Sequence, residues 1–231
     1  EQIVDQGSLQ RVIGRWQEGN SEGPIGYVLS LEGADSIRTP AHLKQSWEQG
    51  LRALGPAHYG VGRYALGHDQ DGPLLESGRE LIREMDQLGM ILDASHLPDR
   101  TFHDALDLYE GAVWASHSNC RALVDDPRQI SDEQIARLIE RGAVIGGALD
   151  AWMMVPGWER GITTPRGAGL NLEDLLDHTD HICQLAGNAD HVGIGSDLDG
   201  GFGTEQTPQD VQSIAALQRV GELLGKRGYS P

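Results

Sequence analysis

Four acidic or imidazole residues each lie at the end of a short apolar run: Glu32, His96, His117 and Asp197. Each run is typical of a buried parallel strand, and helical sequence follows it after a loop. In a βα barrel the carboxyl ends of the strands meet at one face, so these four side chains are expected to converge. Two imidazoles and two carboxylates at one point predict a metal centre that activates water.

These residue types can supply the groups that hydrolysis requires. A glutamate such as Glu32 can span two cations with its two oxygens, and neutral imidazoles suit zinc. A carboxylate such as Asp197 can accept the proton of the attacking water and pass it on. Each residue also has a structural alternative: Glu32 could simply end a strand, the histidines could be core residues, and Asp199 competes with Asp197 for the same role.

Strands and helices are predicted to alternate along the chain. The predicted strands are residues 25–31, 56–59 (the weakest), 90–95, 112–116, 143–149 and 191–196. The predicted helices are residues 40–54, 75–88, 98–109, 131–141, 172–186 and 208–227, and Ser131 with Gln134 fits a capping box. Alternation of this kind favours an α/β fold with a parallel sheet and right-handed crossovers. Six strand–helix units are visible, whereas a closed barrel has eight.

The longest irregular stretch is predicted at residues 150–170. It contains Trp152, Met153, Met154 and Trp158. A long loop in a compact domain is often functional, so these side chains could wall a substrate pocket. They could equally pack onto the rim of a barrel, and the sequence does not decide between the two.

Composition excludes some classes of partner. The 231 residues carry a formal net charge of −17, which argues against nucleic acid and against an anionic membrane surface as partners. No apolar stretch approaches the ~20 residues of a transmembrane helix, and no export signal is visible, which favours the cytoplasm. Cys120 lies three residues after His117, so a ligand role is conceivable, but a buried thiol is the favoured interpretation.

Six motifs in this order resemble those of the membrane (renal) dipeptidase family, the M19 peptidases of the amidohydrolase superfamily. They are Leu31-Glu-Gly33, Ala57-His-Tyr59, Asp93-Ala-Ser-His96, Ala115-Ser-His-Ser-Asn119, the stretch that leads to Arg128, and Gly193-Ile-Gly-Ser-Asp-Leu-Asp-Gly200. The resemblance implies a binuclear zinc hydrolase on a (β/α)8 barrel that cleaves dipeptides, including L,D-dipeptides. It further implies a single hydrolase domain over residues 1–231 that lacks the first and last barrel segments.

The resemblance also implies a role for each matching residue. Glu32 would bridge two zinc ions, and His96 and His117 would hold one of them. His58 would contact the scissile carbonyl or the oxyanion, and Arg128 would bind the substrate carboxylate. Asp197 would orient the water and then protonate the leaving amine. The residues themselves leave two alternatives open. Asp93 could support the site or turn toward solvent, and Arg128, which follows Asp125-Asp126-Pro127, could form a surface salt bridge.

The chain departs from the family pattern in one respect. The family's other zinc uses a His-x-Asp motif upstream of the glutamate, and none precedes Glu32, while His68-Asp69 lacks the spacing. One of two expected zinc sites therefore lacks these ligands.

The alternatives to a dipeptidase are another amidohydrolase reaction, on a lactone or an N-acyl amino acid, and a truncated homologue that binds zinc or peptide without turnover. A small peptide is the expected substrate; relatives often form homodimers, although no interface can be recognised here.

Overall fold

The computed structural model describes residues 1–19 and 23–230. The chain divides into two compact units, Glu1–Val113 and Trp114–Pro231. Each unit is an α/β structure with parallel strands. The single hydrolase domain expected over 1–231 stays a prediction.

The first unit has a parallel sheet of three strands. These are β1 (Leu29–Glu32), β2 (Leu51–Gly55) and β3 (Ile91–Asp93), and Glu32 pairs in register with Gly55. Its helices are α1 (Gln6–Gln17), α2 (Pro40–Glu48), α3 (Glu76–Leu88) and α4 (Asp99–Leu108). The carboxyl ends of the strands therefore lie together at one edge, as the sequence predicts.

Helix α3 shows how the sequence sets this architecture. Leu81, Ile82 and Met85 follow the helical period and are fully buried, which gives the helix one apolar face. Gly89 ends the helix in the left-handed conformation at φ 68°. The chain then enters β3, whose Leu92 is also fully buried.

The second unit begins at Trp114, within β4, and carries the remaining strands. These are β4 (Val113–Ala115), β5 (Val144–Gly147) and β6 (Val192–Ile194), and the pairs β4–β5 and β5–β6 are parallel. The helices are α5 (Asp132–Glu140), α6 (Ala151–Met154), α7 (Pro165–Ala168), α8 (Leu175–Ala186) and α9 (Val220–Lys226), with 3-10 turns at Leu172–Asp174, Thr204–Gln206 and Ile214–Arg219. The predicted capping box is present, because Ser131 Oγ accepts from Gln134 N–H and Gln134 Oε1 accepts from Ser131 N–H.

The stretch 150–170 contributes to the core of the second unit. Met154 lies in a buried apolar cluster with Leu149, Leu170 and Leu176, and Trp158 packs against it. Met153 is also buried. Of the two interpretations of this stretch, the structure supports packing for Met153, Met154 and Trp158.

The α/β class with parallel strands is confirmed, and the corrections concern boundaries. The weak strand at 56–59 is wrong: the strand is Leu51–Gly55, and the predicted helix 40–54 ends at Glu48. Gly50 lies between this helix and strand, at φ 102°, a backbone conformation that residues with a side chain rarely adopt. The predicted helix 208–227 is reduced to a 3-10 turn and α9, since Ser213 is fully extended. Helix α1 was not predicted.

Within the described residues, no helix has both the length and the apolarity to cross a membrane.

Candidate metal centre

Glu32 and His96 meet at the carboxyl edge of the sheet in the first unit. Glu32 is the last residue of β1, and His96 follows β3 by three residues. His96 Nε2 lies 2.9 Å from Glu32 Oε1, with the side chains 4% and 44% exposed. Gly55, at the end of the intervening strand β2, has no side chain and pairs with Glu32. The two groups from the outer strands can therefore approach each other across it.

Asp93, the last residue of β3, is buried and turns away from solvent. Its Oδ1 accepts the backbone N–H of Ser95 at 3.0 Å. Its Cβ lies beside Gly55, 3.6 Å from the position that a Cβ there would take. This carboxylate therefore braces the turn that leads from β3 to His96.

Two site residues have an unusual backbone conformation. His96 (φ 65°) and Asp197 (φ 56°) are the non-glycine residues with positive φ in the part of the chain that the structure describes. Such conformations cost roughly 1–3 kcal/mol and concentrate at functional sites. The sequence analysis selects both residues because each is a chemically active group at the end of an apolar run.

His58 and His68 flank the ring of His96. The exposed His58 packs edge-on to His96, with ring centroids 4.6 Å apart. His68 Nδ1 lies 2.9 Å from His96 Nδ1. The sequence analysis treats His68-Asp69 only as a pair that lacks the His-x-Asp spacing. It does not predict the contact of His68 with His96. No strand ends at His68, so the strand-end signal could not have found it.

His117 and Arg128 lie together in the second unit. His117 follows β4, is buried, and its Nδ1 lies 2.8 Å from Ser116 Oγ. The Arg128 guanidinium is buried and donates to the His117 carbonyl at 2.7 Å and to Ser118 Oγ at 3.3 Å. Asp126 Oδ1 accepts the backbone N–H of Arg128 at 2.8 Å. These contacts favour a place beside His117 over a surface salt bridge.

The motif that contains His117 also fixes its own loop. The Asn119 side chain donates to the carbonyls of Ala148 and Met153 and accepts from Ala148 N–H at 2.9 Å. Cys120 N–H donates to His178 Nδ1 at 3.0 Å, and burial raises the pKa of the Cys120 thiol to about 12. A thiol this reluctant to ionise is a poor metal ligand, which agrees with the favoured interpretation of Cys120.

Asp197 follows β6 by three residues, and its carboxylate lies against Gly200. A Cβ at Gly200 would overlap that carboxylate, so the glycine permits the close approach. Asp199, the competing residue, is exposed. The two residues therefore differ in backbone conformation and in exposure, and the catalytic role of Asp197 stays a prediction.

Asp150 is a buried carboxylate near the end of β5 that the sequence had not singled out. It accepts from Trp152 Nε1 and from Gln206 Nε2, both at 2.7 Å, and lies 3.7 Å from Arg160. Burial raises its pKa, and the negative charge of Asp197 adds to that effect. The signal that identified the other residues, an acid directly after an apolar run, was present here too.

Glu32 and His96 in the first unit offer a carboxylate and an imidazole as possible metal ligands, and His117 in the second unit offers a further imidazole. The set contains the donor atoms that zinc prefers. Zinc–ligand distances of about 2.0–2.2 Å in a tetrahedral site place neighbouring ligand atoms about 3.3–3.6 Å apart. The 2.9 Å between Glu32 Oε1 and His96 Nε2 is shorter than that spacing, so a small separation of the two side chains would admit an ion. The residues present therefore fit a metal ion.

Comparison with known proteins identifies the family. Residues 10–231 match the model of the membrane dipeptidase family, peptidase family M19. The chain belongs to this family. An uncharacterized dipeptidase of Schizosaccharomyces pombe is 32% identical over 213 residues, which cover 89% of this chain and 48% of the relative. A dipeptidase of Clonostachys rogersoniana is 29% identical over 236 residues, which cover 100% of this chain and 57% of the relative. The chain thus spans about half the length of these relatives.

Solved structures are similar over nearly the whole chain. A metallopeptidase from Rhodobacter sphaeroides, liganded with a phosphinate mimic of the dipeptide L-Ala-D-Ala, has a TM-score of 0.77 at 26% identity, with 96% of this chain and 62% of that chain covered. The probable dipeptidase PvdM from Pseudomonas aeruginosa has a TM-score of 0.81 at 21% identity, with 100% and 69% covered. The second likeness concerns the fold alone.

Proposed function

We propose that the chain provides the metal centre and substrate-binding residues of a zinc dipeptidase that accepts L,D-dipeptides. The contact of Glu32 with His96 carries the proposal, because it brings a carboxylate and an imidazole within 2.9 Å of each other where two parallel strands end. Membership of the M19 family supports it, and so does the dipeptide mimic bound to the Rhodobacter sphaeroides relative.

In this proposal Glu32, His96 and His117 hold one zinc ion. His96 would use Nε2, the atom that faces Glu32, since its Nδ1 faces His68. His117 would also use Nε2, since Ser116 Oγ lies at its Nδ1. A bound zinc ion would supply a water with a pKa of about 7 and would polarise the scissile carbonyl. A second zinc ion would need ligands beyond these three.

The remaining residues would bind substrate and move protons. Asp197 would accept a proton from the attacking water and deliver it to the leaving amine. His58, exposed beside His96, would donate a hydrogen bond to the oxygen that becomes negative. Arg128 would bind the terminal carboxylate of the dipeptide through its planar guanidinium.

Zinc content and dipeptide hydrolysis test the proposal together. Protein purified without chelator is analysed for zinc, then supplied with L-Ala-D-Ala and L-Ala-L-Ala, with product amines quantified by chromatography. We expect about one zinc per chain or more, and release of alanine. Glu32→Gln should lose zinc and activity together, because the amide cannot bind as an anionic ligand.

Glu48→Gln is the matched control. Glu48 is an exposed glutamate at the end of α2, so its replacement should leave zinc content and hydrolysis unchanged. Absence of zinc from the wild-type protein, even after zinc is added, would contradict the metal centre. Zinc binding without hydrolysis of either dipeptide would contradict the dipeptidase assignment.

A further inference from the structure

The ring of His68 lies directly against the proposed ligand His96. Their Nδ1 atoms are 2.9 Å apart, and the ring centroids are 5.0 Å apart. His68 is 7% exposed and His96 is 5% exposed. A separation of 2.9 Å between two ring nitrogens is a hydrogen-bond distance. One nitrogen therefore carries a proton and donates the hydrogen bond, and the other accepts that bond.

The loop that carries His68 is held in a folded-back conformation. Gly67 N–H donates to the Gly60 carbonyl at 2.7 Å, and Gly60 N–H donates to Asp69 Oδ1 at 2.6 Å. The second bond is also the main reason that the pKa of Asp69 is lowered. A Cβ at Gly67 would overlap the carbonyl of His58, so only glycine allows this approach. The backbone bonds on both sides of His68 therefore fix where its side chain starts.

The ring itself is held by an aromatic contact. Tyr59 packs edge-on against His68, with ring centroids 4.4 Å apart and an angle of 70° between the rings. Tyr59 and His68 belong to the two arms of the folded loop. A residue of the same loop therefore contacts the His68 ring and limits its orientation.

A metal-bound histidine needs such a partner. When Nε2 binds the metal, Nδ1 carries a proton, and the group that accepts it sets the tautomer and the ring orientation. His96 Nε2 faces Glu32 Oε1 while its Nδ1 faces His68. His68 can be the acceptor when it is neutral and carries its own proton on Nε2.

We propose that His68 is a positioning residue of the metal centre: its Nδ1 accepts the Nδ1–H of His96 and so presents Nε2 of His96 to the metal ion. This inference rests on the proposed metal centre of Glu32, His96 and His117. It adds to that centre a residue that contacts neither the metal nor the substrate.

Zinc affinity of three variants tests the proposal. His68→Phe keeps a ring but removes the acceptor, whereas His68→Asn places an amide oxygen near the position of the lost Nδ1. His42→Phe replaces an exposed histidine on α2 and serves as the control. The zinc dissociation constant is measured by competition with a chromogenic chelator, and the melting temperature of each metal-free protein is recorded.

We expect His68→Phe to weaken zinc binding about 10- to 100-fold, the usual effect of losing such a partner. His68→Asn should recover most of the affinity, and His42→Phe should match the wild type. Unchanged affinity in His68→Phe would overturn the proposal. So would an equal loss in His68→Phe and His68→Asn, because then the shape of the side chain matters and not its acceptor atom. Wild-type protein that binds no zinc would overturn the metal centre itself and this inference with it.

Discussion

Acidification should destabilise the second unit through one buried histidine, His178 on α8. The residue is 2% exposed, and its Nδ1 accepts the backbone N–H of Cys120. Its Nε2 lies 3.4 Å from the carbonyl of Met154. The ring is therefore neutral, and it links α8 to the loop that carries His117. Burial lowers the pKa of His178 from 6.5 to about 4.

The sign and size of the effect follow from this pKa. Because the folded state binds the proton less readily than the unfolded state, the stabilisation is fully present above pH 6.5 and is lost as the pH falls toward about 4. Over the interval from pH 6.5 to about 4, at 1.36 kcal/mol for each pH unit, the free energy of unfolding falls by about 3 kcal/mol. This is a large part of the ~5–15 kcal/mol that keeps a typical domain folded.

Urea denaturation followed by tryptophan fluorescence, at intervals from pH 4 to pH 8, measures the effect. The comparison is between wild type and His178→Asn, which keeps an acceptor for Cys120 N–H but cannot titrate in this range. The free energy of unfolding of the wild type should fall by about 3 kcal/mol more than that of the variant across the acid side. His42→Asn, at an exposed position, should follow the wild type. Identical pH dependence in wild type and His178→Asn would refute the reasoning.

Three further predictions concern the proposed site and its surroundings. Arg128→Ala should raise KM for dipeptides roughly 10- to 100-fold, since a hydrogen bond to a charged group contributes about 1.5–3 kcal/mol; an unchanged KM would remove Arg128 from substrate binding. Gly200→Ala should lower kcat while zinc content stays constant, because the added methyl group displaces the Asp197 carboxylate; full activity would show that Asp197 need not be held there. A thiol reagent should modify Cys183 in the native protein but reach Cys120, whose pKa is about 12, only after unfolding; equal native reactivity would contradict the burial of Cys120.

The sequence predicted best those residues whose positions depend on strand ends. An apolar run that stops at a glutamate or histidine carries two signals at once, the end of a buried strand and a group with chemistry. Glu32, His96 and His117 were found in this way, and the structure puts each at or just after a strand. Boundaries were less certain where a glycine such as Gly50 ended a helix earlier than the apolar pattern suggested.

Residues positioned by long-range contacts could not be found in this way. His68 reaches His96 because its loop folds back through backbone bonds at Gly60 and Gly67, and no periodic pattern records such bonds. Asp150 is a different case. It directly follows an apolar run, but one of its hydrogen-bond partners, Gln206, lies 56 residues away in the sequence.

The turns after three strands show why chemistry and backbone geometry are linked here. After β1, Gly33 takes the left-handed conformation at φ 75°, so Glu32 itself keeps an ordinary backbone. After β3 and β6, His96 and Asp197 take that conformation themselves, each three residues beyond the strand. Glycine would adopt it without the cost of roughly 1–3 kcal/mol. An imidazole and a carboxylate at these two turns therefore add nothing to backbone stability. The chemistry of their side chains must account for their presence. We expect this of a metal ligand at position 96 and of a proton carrier at position 197.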